Sequence, residues 1–361
     1  LLDNGAIWTW GSNFNGELGD GNTSTRSSPD TMSSLSGVAE ITSGFSHSLA
    51  LTTDGTVWSW GANSHGQLGD GTASNRSSPV STGVLAGVAT IAAGHYHSLA
   101  LLDDGTLWTW GFNSYGQLGD GTYEDSSSPV EVTSLAGVAS IAAGYHHSIA
   151  VLDDGNAWAW GDNDYGQLGD GTTSDSSTAV AVGGLANVTR VVAGANHSLA
   201  LLDDGTLWAW GDNGYGQLGD GTYVDSSIPV AVSSLMGVVA MAAGYDHSLA
   251  ILDDGTLWAW GVNGLGQLCD GTTSNRSSPV EVATLSGVEF IAAGSYHTLV
   301  LLDDETLWAC GDNAYGQLGD GTTSDSSSPV QVDADAGVAM VMAGREHSLA
   351  LLDDGTVSVW G

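Results

Sequence analysis

The sequence contains no lysine. Its 361 residues carry only five basic side chains, all arginine (Arg26, Arg76, Arg190, Arg276 and Arg345), against 41 aspartates and glutamates, a formal charge of −36. A surface of that sign repels phosphate, which argues against direct nucleic-acid binding and against attachment to an anionic membrane. No apolar run approaches the roughly 20 residues of a membrane-spanning helix. Two cysteines are too few for a disulfide scaffold. The opening Leu1-Leu2-Asp3 has no basic region, so no targeting signal is expected there. Each Gly-Asp-Gly is followed by Thr or Asn and never by Lys-Ser, so no phosphate-cradling loop is present, and no Gly-x-Ser-x-Gly elbow occurs. What is there excludes disorder: 42% of the chain is hydrophobic and 14 residues are Trp, enough to bury a large core.

That core is written as a repeat of 50 residues. Trp110-Gly111 recurs as Trp160-Gly161, Trp210-Gly211 and Trp260-Gly261. GQLGDG starts at Gly116, Gly166, Gly216 and Gly316. After seven periods, residues 351–361 copy residues 1–11. In one unit, residues 94–143, the apolar run 97–102 predicts a strand, and Asp104-Gly105 predicts a two-residue hairpin turn. Residues 106–110 alternate with period two and predict a second strand. The Gly-, Asn-, Asp- and Ser-rich stretch 111–128 predicts loop. Residues 129–132, led by Pro129, predict a third strand and residues 138–143 a fourth. Four short strands per period of about 50 residues, with no helical period, match propeller blades. Trp108 and Trp110 share one strand face, opposite the small position of Thr109, Ser59, Ala159, Ala209, Ala259 and Ala309. This pattern predicts core between blades, with light sensing or ligand stacking as the alternative.

The motifs Gly-x-x-His-Ser-Leu-Ala-Leu and Asp-Gly-x-x-Trp-x-Trp-Gly-x-Asn-x-x-Gly-Gln-Leu-Gly run through the whole chain. In them the sequence resembles the regulator of chromosome condensation repeat family. The resemblance implies an all-β fold: a seven-bladed β-propeller with four antiparallel strands per blade, its ring closed by strands from both termini. Residues 1–361 would then form a single domain, with 1–11 and 351–361 as duplicate end segments, either of which could be the redundant one. The fold does not settle function.

Hairpin geometry gives each blade two ends. Residues 103–104 and 134–137 lie at an acidic end, which collects Asp3, Asp54, Asp103, Asp104, Asp153, Asp154, Asp203, Asp204, Asp253, Asp254, Asp303, Asp304, Asp353 and Asp354. A solvated rim of hairpin turns accounts for them, and a basic partner or divalent cation at the Asp-Asp-Gly face is the functional alternative. Calcium would need six to eight converging oxygens. The pairs Asp120/Asp125, Asp170/Asp175, Asp220/Asp225 and Asp320/Asp325 are weighed the same way, as turn caps or as calcium ligands. The other end is variable. Between the recurring Gly and His stand Phe45-Ser46, His95-Tyr96, Tyr145-His146, Ala195-Asn196, Tyr245-Asp246, Ser295-Tyr296 and Arg345-Glu346. A second series there reads Asn15, His65, Tyr115, Tyr165, Tyr215, Leu265 and Tyr315. Framework positions agree between repeats and these do not. Unconstrained drift at exposed loops is one explanation. Their richness in Tyr, His, Asn and Asp points to the other, a partner-binding face.

No enzyme signature emerges, and no cofactor or metal is expected. His47, His97, His147, His197, His247, His297 and His347 recur equivalently, each followed by Ser or Thr. Neighbouring strand residues point to opposite faces, so His-Ser is no nucleophile–base pair, and seven equivalents predict a structural hydrogen bond. His65, His95 and His146 have no zinc-ligand spacing around them. Cys269 replaces a glycine of the GQLG motif and Cys310 the second Trp of its pair. They are expected as two unpaired replacements, with a disulfide left open. The function expected is a non-enzymatic binding or scaffold propeller for an unknown protein, peptide or glycan. A guanine-nucleotide exchange factor like the family's founding member is the alternative, although the unbroken period leaves no inserted wedge. A Trp-based UV photoreceptor comes third, since its Gly-Trp-Arg-His-Thr motif finds no Trp here and only Arg345. Low cysteine and absent lysine point to an extracellular or high-salt setting.

Overall fold

The computed structural model describes residues 7–32, 34–83, 85–332, 337–352 and 357–361. Asp3, Asp353 and Asp354, and the first six residues of the opening copy, lie outside the described residues. All described elements are strands and turns, grouped into two compact units. The first comprises Leu1–Asp164 with Leu168–Asn187, the second Tyr165–Gln167 with Val188–Gly361.

The first unit holds three four-stranded antiparallel sheets, starting at Val38, Val88 and Val138, and a two-stranded pair of Ile7–Gly11 with Arg26–Met32. The second holds three four-stranded sheets, starting at Val188, Val238 and Val288, and a three-stranded sheet of Val338–Ala343, Ser348–Leu352 and Val357–Trp360. Each full sheet is a meander. In the Val88 blade the order is Val88–Ala93, His97–Leu102, Leu107–Gly111, Ser126–Glu131.

Two sequence expectations shift here. Residues 138–143 do not complete the blade before them; Val138–Ala143 pairs with His147–Leu152 and opens the next one. The long loop after each Trp strand makes the chain look continuous across that boundary, so the unit read from sequence is one strand out of phase. The outer strand also starts earlier than Pro129, at Ser126, and its register slips between Ser126 and Val130. Pro129 sits in that irregular stretch of an edge strand, where no ladder donor is missed.

Blades meet through the tryptophans. Trp110 is fully buried and packs with Leu49, Leu51 and Val57 of the preceding blade, while Trp108 is half-buried. The indole N–H of Trp110 donates to the Gln67 carbonyl at 2.9 Å. A Cβ on Gly69 would come within 3.0 Å of that indole, so the glycine forty-one residues before the Trp is demanded by the ring. Gly119 with Trp160, and Gly219 with Trp260, repeat the contact.

This pairing overturns the expectation of unpaired cysteines. Cys269 and Cys310 form a disulfide with Cα atoms 5.5 Å apart and a sequence separation of 41. They occupy the two positions of one Gly–Trp contact, so a covalent bond stands where an indole elsewhere lies on a glycine. The cost is visible in the backbone, for Cys269 holds φ +57°, a left-handed conformation that glycine adopts at the equivalent Gly219 (φ +67°).

Candidate functional site

The variable end is built on a rigid floor. After the first strand of each blade the chain turns through the Gly-x-x-His segment. The His47 ring lies over Gly44, where a Cβ would meet its Cε1 and the Gly94 carbonyl, so only glycine fits. The ring reaches the next blade: His47 Nε2 lies 3.0 Å from Ser98 Oγ. Ser98 spends its hydroxyl hydrogen on the Gln67 carbonyl at 2.9 Å, so His47 must be the donor through Nε2–H. The same bond joins His97 to Ser148, His197 to Ser248, His247 to Thr298 and His297 to Ser348. Burial lowers the His47 pKa to about 4, and those of His147, His247 and His297 to about 3. These rings are neutral, fully enclosed crosslinks. His347 is the exception and is exposed.

Above this floor, adjacent variable loops are stitched by backbone bonds: Phe45 N donates to the His95 carbonyl, His95 N to that of Tyr145, and Ala195 N to that of Tyr245. The side chains carried on them differ sharply between the units. In the first unit they make one continuous patch of rings. His95 lies against Phe45 (4.2 Å between ring centroids), Tyr96 (4.0 Å) and Tyr145 (3.7 Å). His146 stacks on Tyr115 (4.9 Å) and meets Phe112 (5.4 Å), which also contacts His65 (4.8 Å). His65 Nδ1 bonds Asp125 at 2.9 Å. Burial and the nearby His65 lower the His146 pKa to about 4, so this ring is uncharged near neutrality.

In the second unit the rings thin out and carboxylates replace them. Tyr245 and Tyr296 lie 5.7 Å apart. Asp246 is 8% exposed, and burial together with the Asp212 charge raises its pKa to about 7. Burial and Asp225 raise Asp212 as well. Asn196 is half-buried; Tyr165, Tyr215 and Tyr315 are exposed; Arg345 stands 3.4 Å from Glu346. Sequence reasoning named the two loop series but passed over a third, Ala62, Phe112, Asp162, Asp212, Val262 and Asp312. It lies on the same end and supplies Phe112 to one unit and Asp212 to the other. Disagreement between repeats, the signal used for its neighbours, would have found it.

The second acid of the Asp-Asp-Gly turns is accounted for locally. Asp104 Oδ1 accepts Thr106 N–H (3.0 Å) and hydroxyl (2.7 Å), and Asp204, Asp254 and Asp304 do the same. These bonds hold the Asp104 carboxyl below its ordinary value. Asp120 accepts from Thr122, and Asp125 from Asn113 N–H. Asp20, Asp70 and Asp270 pair with Arg26, Arg76 and Arg276. Among the described residues, three acidic groups converge within 4.8 Å only at Asp162, Asp164 and Asp175. There Asp162 caps Asp164 N–H and Asp175 caps Asn163 N–H.

Comparison with known proteins follows this geometry. The family model of the RCC1-like domain matches residues 1–237 and 178–361. Human WBSCR16 superposes with a TM-score of 0.83 at 25% identity, covering 96% of this chain and 98% of that one. Yeast RCC1 (Prp20) bound to Kap60 gives 0.81 at 22% identity, covering 99% and 88%. Prp20p from Saccharomyces cerevisiae, described with its binding to Gsp1p and histones, gives 0.79 at 24%, covering 99% and 91%. A search of curated protein sequences returns no significant match.

Proposed function

The chain belongs to the RCC1-like domain family, and from that premise we propose that it is a non-enzymatic binding propeller whose variable end holds a protein or peptide partner. The observation that carries this is the ring patch of Phe45, His95, Tyr96, Phe112, Tyr115, Tyr145 and His146. A framework that fills its own core with Trp has no structural need for a connected cluster of rings, His65 included, at a loop end. Rigid aromatic side chains give large contact area at low entropy cost. The enclosed histidines support the same view, since neutral, hydrogen-bonded rings brace the loops and offer no reactive nitrogen to a substrate. The proposal includes one domain of seven blades closed by strands from both ends, which the coverage of the superposed structures supports. It also includes an oxidising setting outside the cytoplasm, supported by the Cys269–Cys310 bond.

Replacing Tyr96, Tyr145, Tyr245 and Tyr296 together with Ser is expected to abolish capture of a partner from extract of the source cells while leaving the melting temperature nearly unchanged. Unaltered capture would overturn the reading. The likeness to Prp20 keeps nucleotide exchange on a small GTPase as the second reading. Nucleotide release from a panel of GTPases tests it.

A further inference from the structure

The framework leaves one buried charge in the second unit unanswered. Asp246 sits on the loop between Val238–Ala243 and His247–Leu252 and is 8% exposed. Its backbone carbonyl accepts Val262 N–H, but among the described residues its carboxylate accepts no hydrogen bond. Buried polar groups are almost always paired, and an ionised one without a donor is expensive. The fold does not require an acid there, because equivalent positions hold Ser46, Tyr96, His146, Asn196, Tyr296 and Glu346. A second carboxylate, Asp212, stands near it and is coupled in turn to Asp225. Of the basic side chains of this unit, Arg276 pairs with Asp270 (2.6 Å), Arg190 is exposed on the strand Val188–Ala193, and Arg345, 3.4 Å from Glu346, also acts on Tyr296 but not on Asp246. Tyr296 lies within electrostatic reach of Asp246, and Tyr245, the residue before Asp246, has its ring 5.7 Å from that of Tyr296.

Resting on the binding reading above, we infer that this end of the second unit receives a guanidinium, with Asp246 and Asp212 taking the charge of a partner's arginine and the faces of Tyr245 and Tyr296 its flat surface. A planar fork with five donors can reach carboxylates that are spread apart and can stack on aromatic rings. A hard metal ion fits worse. It wants oxygens converging on one point, and Asp212, Asp225 and Asp246 do not converge as Asp162, Asp164 and Asp175 do. One Asp212 oxygen already accepts Gly214 N–H at 2.9 Å, and the tyrosine faces offer a metal nothing. The upward shift of Asp246, caused first by burial and then by the Asp212 charge, fits a carboxylate that gains from a cation beside it.

The test is calorimetric titration of the intact protein with a glycine-serine peptide bearing one arginine, with its citrulline and lysine counterparts, and with calcium chloride. The arginine peptide is expected to bind at least about tenfold tighter than citrulline, which has the same shape without the charge. Asp246→Asn should erase that difference while melting at the same or a higher temperature, because it removes an unpaired buried charge. Tyr296→Leu should weaken the arginine peptide more than the lysine peptide. Equal binding of arginine and citrulline, an Asp246→Asn variant that binds like the parent, or displacement of the peptide by calcium would each overturn the assignment. If these fail while capture still depends on the four tyrosines, the guanidinium assignment falls alone. If the arginine peptide binds and capture ignores the tyrosines, the partner-binding reading falls alone.

Discussion

The two units carry the same floor and different ceilings. Both brace their variable loops with a Gly-x-x-His crosslink and a Gln carbonyl that takes a hydroxyl and, except at Cys310, an indole from the following blade. On that floor the first unit sets touching rings, His146 among them uncharged near neutrality, and the second sets two tyrosines and crowded carboxylates. The difference shows how a repeat specialises. A rim side chain takes no part in the histidine and tryptophan hydrogen bonds that join one blade to the next, so it can change without breaking them, and chemistry diverges at the rim while the floor is copied. One framework change, the disulfide, obeys the same logic in reverse. The glycine and the tryptophan that other repeats hold at the positions of Cys269 and Cys310 touch each other, so neither could change alone, and both became cysteine.

Acid should strain this comparison hardest, because it acts on the shared floor. A buried histidine held at about 3 to 4 binds fewer protons folded than unfolded, so its stabilisation is complete above pH 6.5 and is lost as pH falls toward 4. Each such residue stands to lose on the order of 3 kcal/mol. Asp246, raised to about 7, has the opposite sign, gaining stability as pH falls from 7 toward its ordinary value, but it is one group against several. Calorimetric melting from pH 7.5 to 4.5 should show steep, cooperative loss across both units. A first unit that survives when the second unfolds would break their equivalence.

The disulfide comes next in size. A loop of its separation makes the bond worth about 4 kcal/mol of chain entropy. Cys269→Ser with Cys310→Ser should lose most of that in urea unfolding. Cys310→Trp alone should be worse, since the Cys269 Cβ would press on the indole as a Cβ at Gly219 would press on Trp260. Cys269→Gly with Cys310→Trp should restore stability and make it insensitive to reductant. Failure of that double variant would mean that this blade pair has lost the capacity for the Gly–Trp packing that Gly219 and Trp260 show one repeat earlier.

A turn offers the mildest test. Asp-Gly closes the hairpins at Gly55, Gly105, Gly155, Gly205 and Gly255 with positive φ, but the Val288 blade uses Glu305 at φ +66°. Glu305→Gly should stabilise by about 1 kcal/mol in the same unfolding experiment by relieving left-handed strain. No gain would mean that the Glu305 side chain repays its backbone cost.

Much of the fold was legible because repetition multiplies weak signals. One hairpin pattern is ambiguous, but seven in register are not, and the strands 97–102 and 138–143 fall where alternation and apolar runs put them. Blade phase was not legible, since Val138–Ala143 looks equally like the end of one unit or the start of the next until its pairing is seen. The variable loops could be named from sequence, yet Phe112 and Asp212 were left out of the candidate face because their series, beside a constant Asn, was not compared between repeats. The cysteine bond was hidden by its place at two different repeat positions, which become neighbours only when blades pack.

Residue order alone was enough to set the all-β repeat, its turns and the overwhelming negative charge, because these follow from local alternation, Asp-Gly chemistry and composition. What the charges and rings do was decided in three dimensions. Packing tied the second Asp of the Asp-Asp-Gly turns to its own turn, made the enclosed histidines neutral crosslinks, joined Cys269 to Cys310, and buried Asp246 without a donor. Most of these depend on contacts between residues far apart in the chain, and the rest on depth of burial. Neither distance nor dielectric is written in the order of the residues.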